Sequence, residues 1–253
     1  MRFVTALAVA GVLAGVTSAA AQSDESRFYL SVNGAFEPGS QTYQDDSTFP
    51  LYDETGKIGV ASESSSGAVL DFGVGTRVKG NFLVGASFHR TSSIADATVT
   101  GQAPHPIFFD RPRTFSATVG DLKRSEQALH LSLGYRIPLG DKLDLQITAG
   151  PSQFRFSQEV VTLPASPKSP VTETATLTTV TPNLETVRRK KNAWGGHVGG
   201  DLSYAFYQND NTSFRLGAYV RYAEAASDFQ VVNNTVSTKI GGIQIGGGLR
   251  VRF

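Results

Sequence analysis

From Phe28 onward the chain alternates. Phe28, Leu30, Val32, Gly34 and Phe36 fall on one parity, with Ser31, Asn33 and Glu37 on the other. A period of two is the signature of an extended strand with two unlike faces. The pattern returns in Ala68 to Val78 (against Asp71, Gly73, Gly75, Arg77) and in Phe82 to Phe88 (against Gly85, Ser87, His89). It continues in Leu129 to Ile137 (against His130, Ser132, Gly134, Arg136) and Leu143 to Ala149 (against Asp144, Gln146, Thr148). Trp194 to Phe206, Phe214 to Tyr222 and Ile243 to Phe253 complete the set, facing His197, Asp201, Arg215, Tyr219, Arg221, Gln244, Arg250 and Arg252. Phe154 and Phe156 depart from the parity of their run, which predicts a bulge near Pro151.

Eight such runs form an even set, and their connections alternate in length. Segments 79–81, 138–142 and 208–211 are short turns, whereas 38–66, 90–126, 157–187 and 224–237 are long. An up-and-down barrel with turns at one rim and long loops at the other has this rhythm. Each run of about 10 residues, at ~3.3 Å per residue and ~40° tilt, covers roughly 25 Å, the apolar band of a membrane barrel. The expectation is therefore an all-β, eight-stranded antiparallel up-and-down transmembrane β-barrel. Its apolar parity would face lipid. Its polar parity, with Gly, Asp71, Asp144, Asp201, three His and six Arg, would fill a narrow lumen by cross-lumen ion pairing. Aromatic residues gather near run ends: Phe28, Phe82, Tyr135, Phe206, Phe214 and Phe253 at the short-turn rim, Phe36, Phe88, Trp194 and Tyr222 at the other. Alternation by itself also suits a soluble secreted β-sandwich with its apolar face inward.

The N-terminus supports export. Met1 and Arg2 precede an apolar run to Val16, and Thr17 to Ala21 are small, which is the form of a signal peptide over residues 1–21 cut after Ala21. That run is shorter than the ~20 residues a membrane-spanning helix needs. Residues 22–253 would then be the barrel domain with four surface loops. The chain has no Cys, which excludes a disulfide scaffold, a Cys-ligated zinc site and a lipoprotein anchor. With 23 Lys and Arg against 22 Asp and Glu, no global field favours nucleic acid.

The C-terminus, Leu249, Arg250, Val251, Arg252, Phe253, alternates and ends on an aromatic residue. It resembles the terminal signal, here Leu249, Val251 and Phe253, by which Gram-negative outer-membrane proteins are taken up by the barrel-assembly machinery. With the leader and the eight runs, the chain is similar to the small outer-membrane barrel family of the OmpA transmembrane-domain and OmpW-like kind. The resemblance implies a cell-outer-membrane location, a monomer in contact with lipid and lipopolysaccharide, and a structural or surface-interaction role through its loops. The OmpW side of the resemblance allows a narrow channel for small or apolar solutes. No periplasmic peptidoglycan-binding domain follows the last run, so a cell-wall tether is not implied.

Candidate chemistry is sparse. His130 and Ser132 share a face, with Ser87 and His89 on a preceding run, and a base beside a hydroxyl is the start of a nucleophile. The His-x-Ser pair is similar to that of eight-stranded lipid A deacylases, but Leu133 stands where that family has Asn, and parity turns His130 inward. His89, His130 and His197 share the inward face without the spacing of a metal motif, and the Gly clusters 195–200 and 246–248 lie inside strands with no following helix to cradle phosphate. No cofactor, metal or catalytic residue is expected.

Outside the barrel, Arg188, Arg189, Lys190 and Lys191 lie just beyond Trp194, a position suited to lipopolysaccharide phosphates or to a solvated rim. Residues 159–186 are rich in Thr and Pro, a composition that solvates rather than packs. Thr98 to Gly101 and Phe115 to Val119 would pair as a hairpin above the membrane. If they spanned it, the strand count would be ten. Phe108 and Phe109, set among prolines, would fold onto the barrel mouth or form an extracellular contact.

Overall fold

The computed structural model describes residues 27–38, 41–164, 169–209, 211–232 and 234–253. The leader expected over 1–21 lies outside them. Twelve strands are present among the described residues: β1 (Phe28–Glu37), β2 (Gln41–Leu51), β3 (Glu54–Ser64), β4 (Gly67–Lys79), β5 (Phe82–Ala103), β6 (Arg113–Pro138), β7 (Leu143–Thr162), β8 (Val171–Glu173), β9 (Val180–Pro182), β10 (Glu185–Gln208), β11 (Ser213–Gln230) and β12 (Thr235–Arg252). Eight of them close a ring, β1-β4-β5-β6-β7-β10-β11-β12, and β12 returns to β1 through pairs such as Val32 with Leu249. Closure leaves this ring without an exposed edge. Followed partner by partner from Trp194 through Gln153, Leu129, Phe88, Phe72, Val32, Leu249 and Leu216, the ring comes back to its starting strand at Tyr204, ten residues on. That stagger, over eight strands, tilts them by roughly 40° to the barrel axis.

The faces are those of a barrel made for lipid. Leu131 is 51% exposed while its neighbour His130 is 0%, and the same contrast separates Phe72 from Asp71 and Val220 from Arg221. A soluble sandwich would bury the first of each pair and expose the second. Rings pair along the lower rim, Phe82 with Tyr135 at 5.1 Å and Phe28 with Phe253 at 6.1 Å between centroids. Backbone bonds between Phe28 and Phe253 run in both directions, at 2.8 and 3.0 Å, so the last residue fastens the closing seam.

The long connections are mostly not loops. β5 and β6 stay paired up to Ala103 with Arg113, including Thr98 with Thr118 and Gly101 with Phe115. β7 and β10 pair up to Thr162 with Glu185, and β11 and β12 up to Gln230 with Thr235. β2 and β3 carry β1 and β4 upward as a hairpin, β3 pairing with β5. Its two-residue turn is Tyr52–Asp53, with φ of 53° and 60°, the left-handed pair that a tight antiparallel turn of matching twist needs. Among the described residues the segments 38–66, 90–126 and 224–237 are thus largely strand, and 157–187 begins and ends in strand, the paired strands rising roughly 30 Å above the apolar band. The pairing of β5 with the upper part of β6 adds no spanning strand, so the ring remains eight.

No bulge occurs at Pro151: the β7–β10 register runs without a shift from Leu143 to Thr162. Phe154 and Phe156 keep the inward parity of Asp144, Gln146 and Ser152, and both are fully buried. What changes at this height is the solvent outside. Below, Leu143, Leu145 and Ile147 face lipid; above, Gln153, Arg155 and Glu159 face water, so the apolar residues move to the interior. Ile58, Val60, Ala97, Val99, Leu122, Phe154, Phe156, Val160 and Ile240 form that upper core. Val171 and Val180 of the β8–β9 hairpin join it, so part of the Thr- and Pro-rich stretch packs rather than solvates. The register break that does exist above the band is between β5 and β6 near Asp121, whose φ is 59°.

Candidate functional site

The lumen is filled by side chains in layers. At the short-turn end Asp144 takes three arginines: Arg136 Nε at 3.1 Å, Arg215 Nη2 at 2.5 Å, and Arg252. Above it Arg250 is bound to Asp201, with Nε 3.1 Å from Oδ2. Next, Arg221 meets Asp71 at 2.8 Å and also donates to Gln244 Oε1 at 2.7 Å and Ser87 Oγ at 3.1 Å, while Asn33 Nδ2 holds the other Asp71 oxygen at 2.8 Å. Unpaired, each of these charges would carry a desolvation penalty of several kcal/mol in such a place. Between the layers a cavity of about 90 Å³ remains, lined by Tyr29, Asp201 and Arg250 among others. Glycine makes room there: a Cβ on Gly75 or Gly85 would stand 2.3 or 2.5 Å from Tyr29.

The three lumen histidines come together although their spacing in the chain gives no hint of it. His89 Nδ1 lies 2.8 Å from His130 Nε2, His130 Nδ1 is 2.7 Å from Ser152 Oγ, that hydroxyl is 2.9 Å from His197 Nδ1, and His197 Nε2 is 3.0 Å from Ser132 Oγ. With the three rings neutral, donation in one direction along the chain satisfies every link. His130 therefore bonds Ser152 across the strand pair, not Ser132 on its own strand. Phe154 packs edge-on against His130, at 5.9 Å between ring centroids, and closes the chain from above. The chain ends at His89 Nε2, which lies 3.3 Å from Gln244 Nε2 and 3.9 Å from Glu126 Oε1, and no three carboxylate, thiol or imidazole groups converge as metal ligands among the described residues.

At the upper edge of the apolar band the expected basic cluster is divided between two faces. Arg188 and Lys190 register with Glu159 and Ser157 on the outer face, whereas Arg189 and Lys191 register with Gln158 and Phe156, whose side chains point inward. Arg188 Nη2 is 2.6 Å from Glu159 Oε1, and Glu159 also accepts the Lys123 amide at 3.0 Å. That amide, and then Arg188, hold the Glu159 carboxyl below the ordinary carboxylate range. Leu249, Val251 and Phe253 lie together on the lipid-facing parity of β12, with Leu249 and Phe253 exposed.

The three tips are tied to one another. Tyr52 donates to Glu173 at 3.0 Å, the Asp110 amide to Glu54 at 2.8 Å, and Arg113 to Leu177 O at 3.0 Å, besides pairing with Glu173. Ile107, Phe108 and Phe109 do not fold back; they are 69%, 56% and 73% exposed at the summit.

An apolar exterior around an ion-paired interior, closed in eight tilted strands, defines a transmembrane barrel of the outer-membrane kind. Residues 5–174 match the family described as outer membrane protein beta-barrel domain, and the chain belongs to that family, which places it in the outer membrane. Among solved structures it is similar to Neisserial surface protein A, at 14% identity and a TM-score of 0.41, over 89% of this chain and 97% of that one. Ail, the attachment invasion locus protein of Yersinia pestis, solved with the heparin analogue sucrose octasulfate, is similar at 10% identity and a TM-score of 0.34, over 88% and 99%. AlkL in lipid bilayers is similar at 14% identity and a TM-score of 0.34, over 93% of each chain. No curated protein sequence matches.

Proposed function

We propose that the protein is a sealed outer-membrane barrel with a structural and surface-interaction role, displaying a rigid apolar tip to a partner outside the cell. The observation that carries this reading is the double filling of its interior. The membrane half is occupied by ion pairs centred on Asp144, Asp201 and Asp71, and the upper half by the core around Phe154 and Phe156. The cavity left among the ion pairs, about 90 Å³, is far short of a path across the membrane. Closure at both ends favours this role over a narrow channel. Burial of His130 and Ser152, both 0% exposed, favours it over lipid A hydrolysis, since the hydrolysed ester would lie on the lipid side. A rigid extension, tied tips and the exposed Ile107–Phe109 make the summit the contact region. Insertion depends on the assembly machinery reading Leu249, Val251 and Phe253, and the ring is complete as a monomer.

The test is electrical. Purified protein in planar bilayers should show no stepwise conductance, and opening the plug by Phe154→Gly with Phe156→Gly should not by itself create one, because the ionic layers remain. Discrete steps from the unaltered protein would sink the sealed reading. Mass spectrometry of lipid A from cells with and without the protein should show no change in acylation.

A further inference from the structure

The outer face of β5, β6, β7 and β10 carries cations in register just above the apolar band. Arg90 pairs across to Gln127 and on to Arg155, and the next row runs Ser92, Ser125, Ser157, Lys190. Lys123 and Arg188 stand in the row above. Rows are ~7 Å apart along the strands and strands ~4.8 Å apart across them, so these five cations share a patch of about 15 Å on a side. Arg90, Lys123, Arg155 and Lys190 form no ion pair among the described residues, and Glu159 is already committed to Arg188 and the Lys123 amide. The other flank is different in sign: Lys239 is matched by Glu224 at 3.2 Å, and the outward positions nearby include Asp46 and Asp228, while the acids closest to the patch, Glu63 and Asp96 paired across β3 and β5, stand one row above Lys123 and bound it from above.

Two grooves meet in this patch. A polar groove of about 590 Å³, opened by the break between β3 and β4 at Ser65 and Ser66, is lined by Arg90, Lys123, Arg188 and several serine hydroxyls. An apolar furrow of about 780 Å³ runs beside and below it over Gly34, Phe36, Ala68 and Leu70, and Arg90 and Ser92 line both. A cationic, hydroxyl-lined groove continuous with an apolar furrow at the membrane edge has the two halves of a lipid site. We propose that this surface binds a phosphorylated glycolipid of the outer leaflet, with phosphate at Arg90 and Lys123 and an acyl chain in the furrow over Gly34 and Ala68. Cations spread over four strands suit a headgroup with more than one phosphate, as on a bisphosphorylated disaccharide, better than a single phosphodiester.

Native mass spectrometry of the full mature chain in detergent, titrated with bisphosphorylated lipid A, tests the site. The unaltered protein should retain one lipid A and bind it at least tenfold more tightly than the same glycolipid without phosphates. Arg90→Gln with Lys123→Gln should weaken retention about tenfold, and Ala68→Leu should weaken it with every charge in place. Lys57→Gln with Lys239→Gln, removing two cations elsewhere, should bind as the unaltered protein does. Each variant is first shown to be folded by its heat-dependent gel mobility. Equal binding of the phosphate-free glycolipid, or unchanged binding by the Arg90 and Lys123 double variant, overturns the proposal. Phosphatidylglycerol competing as well as lipid A overturns the glycolipid assignment.

Discussion

Arg221 of β11 and Asp71 of β4, separated by 150 residues in the chain, meet at 2.8 Å inside the lumen. Neither strand pairs with the other; the contact is a chord across the ring, and it joins halves of the barrel that the backbone connects only around its rim.

Removing the acid should therefore be worse than removing both partners. Asp71→Asn leaves a guanidinium with reduced compensation where water is scarce, and about 3 kcal/mol of stability should be lost. The double substitution Asp71→Asn, Arg221→Met should recover most of it. Urea unfolding in lipid vesicles, followed by gel mobility, measures these together with the single Arg221→Met; a double variant weaker than the unaltered protein by the sum of the two single losses would show that the two residues act independently.

Phe154 and Phe72 are the same residue type on opposite sides of the wall, 0% and 50% exposed. Phe154→Ala should cost about 3–5 kcal/mol by opening a cavity in the upper core. Phe72→Ala exchanges ring–lipid contact for lipid–lipid contact and should cost about 1 kcal/mol or less. The same unfolding assay compares them, with protease cleavage of the extension as a second readout for Phe154→Ala.

Leu131→Arg should reduce insertion, because a charge on the lipid face near mid-membrane costs roughly 2–4 kcal/mol. Ser132→Ala loses one hydroxyl contact to His197, about 1 kcal/mol, and should insert normally. In this Cys-free chain, single Cys at 131 should react with a lipid-soluble probe and single Cys at 132 should not. The reverse labelling would overturn the facing of the whole strand.

Deleting Phe253 removes two backbone bonds to Phe28 and a ring contact at the closing seam. The truncated protein should reach the outer membrane in smaller amount, measured by fractionation. Normal levels would show that the terminal residue serves neither closure nor uptake.

The membrane half was legible because one rule holds along it: apolar outward, polar inward, period two. At Phe154 that rule changes sign without any change in the strand. An alternating pattern records which residues share a face but not which solvent lies outside, so the inversion imitates a bulge. The same ambiguity makes paired strands above the band look like loops, since Ser, Thr and Asp now occupy the outward positions of β5. The histidine chain and the basic patch were hidden for a different reason. Each is assembled from several strands by register, and only two of the four residues expected in the basic cluster, Arg188 and Lys190, stand on the outer face.

The uninterrupted course of β5 from Phe82 to Ala103 and of β6 from Arg113 to Pro138 also decides how the protein answers a mechanical load. A partner tugging on the summit pulls at roughly 40° to the strands, with the larger component along them, so the ladder bonds are loaded mainly in shear instead of being unzipped one after another. Tension is carried down the wall into the bilayer with little stretch, and the yielding element under force becomes the tip's grip on its partner or the membrane itself, ahead of the barrel.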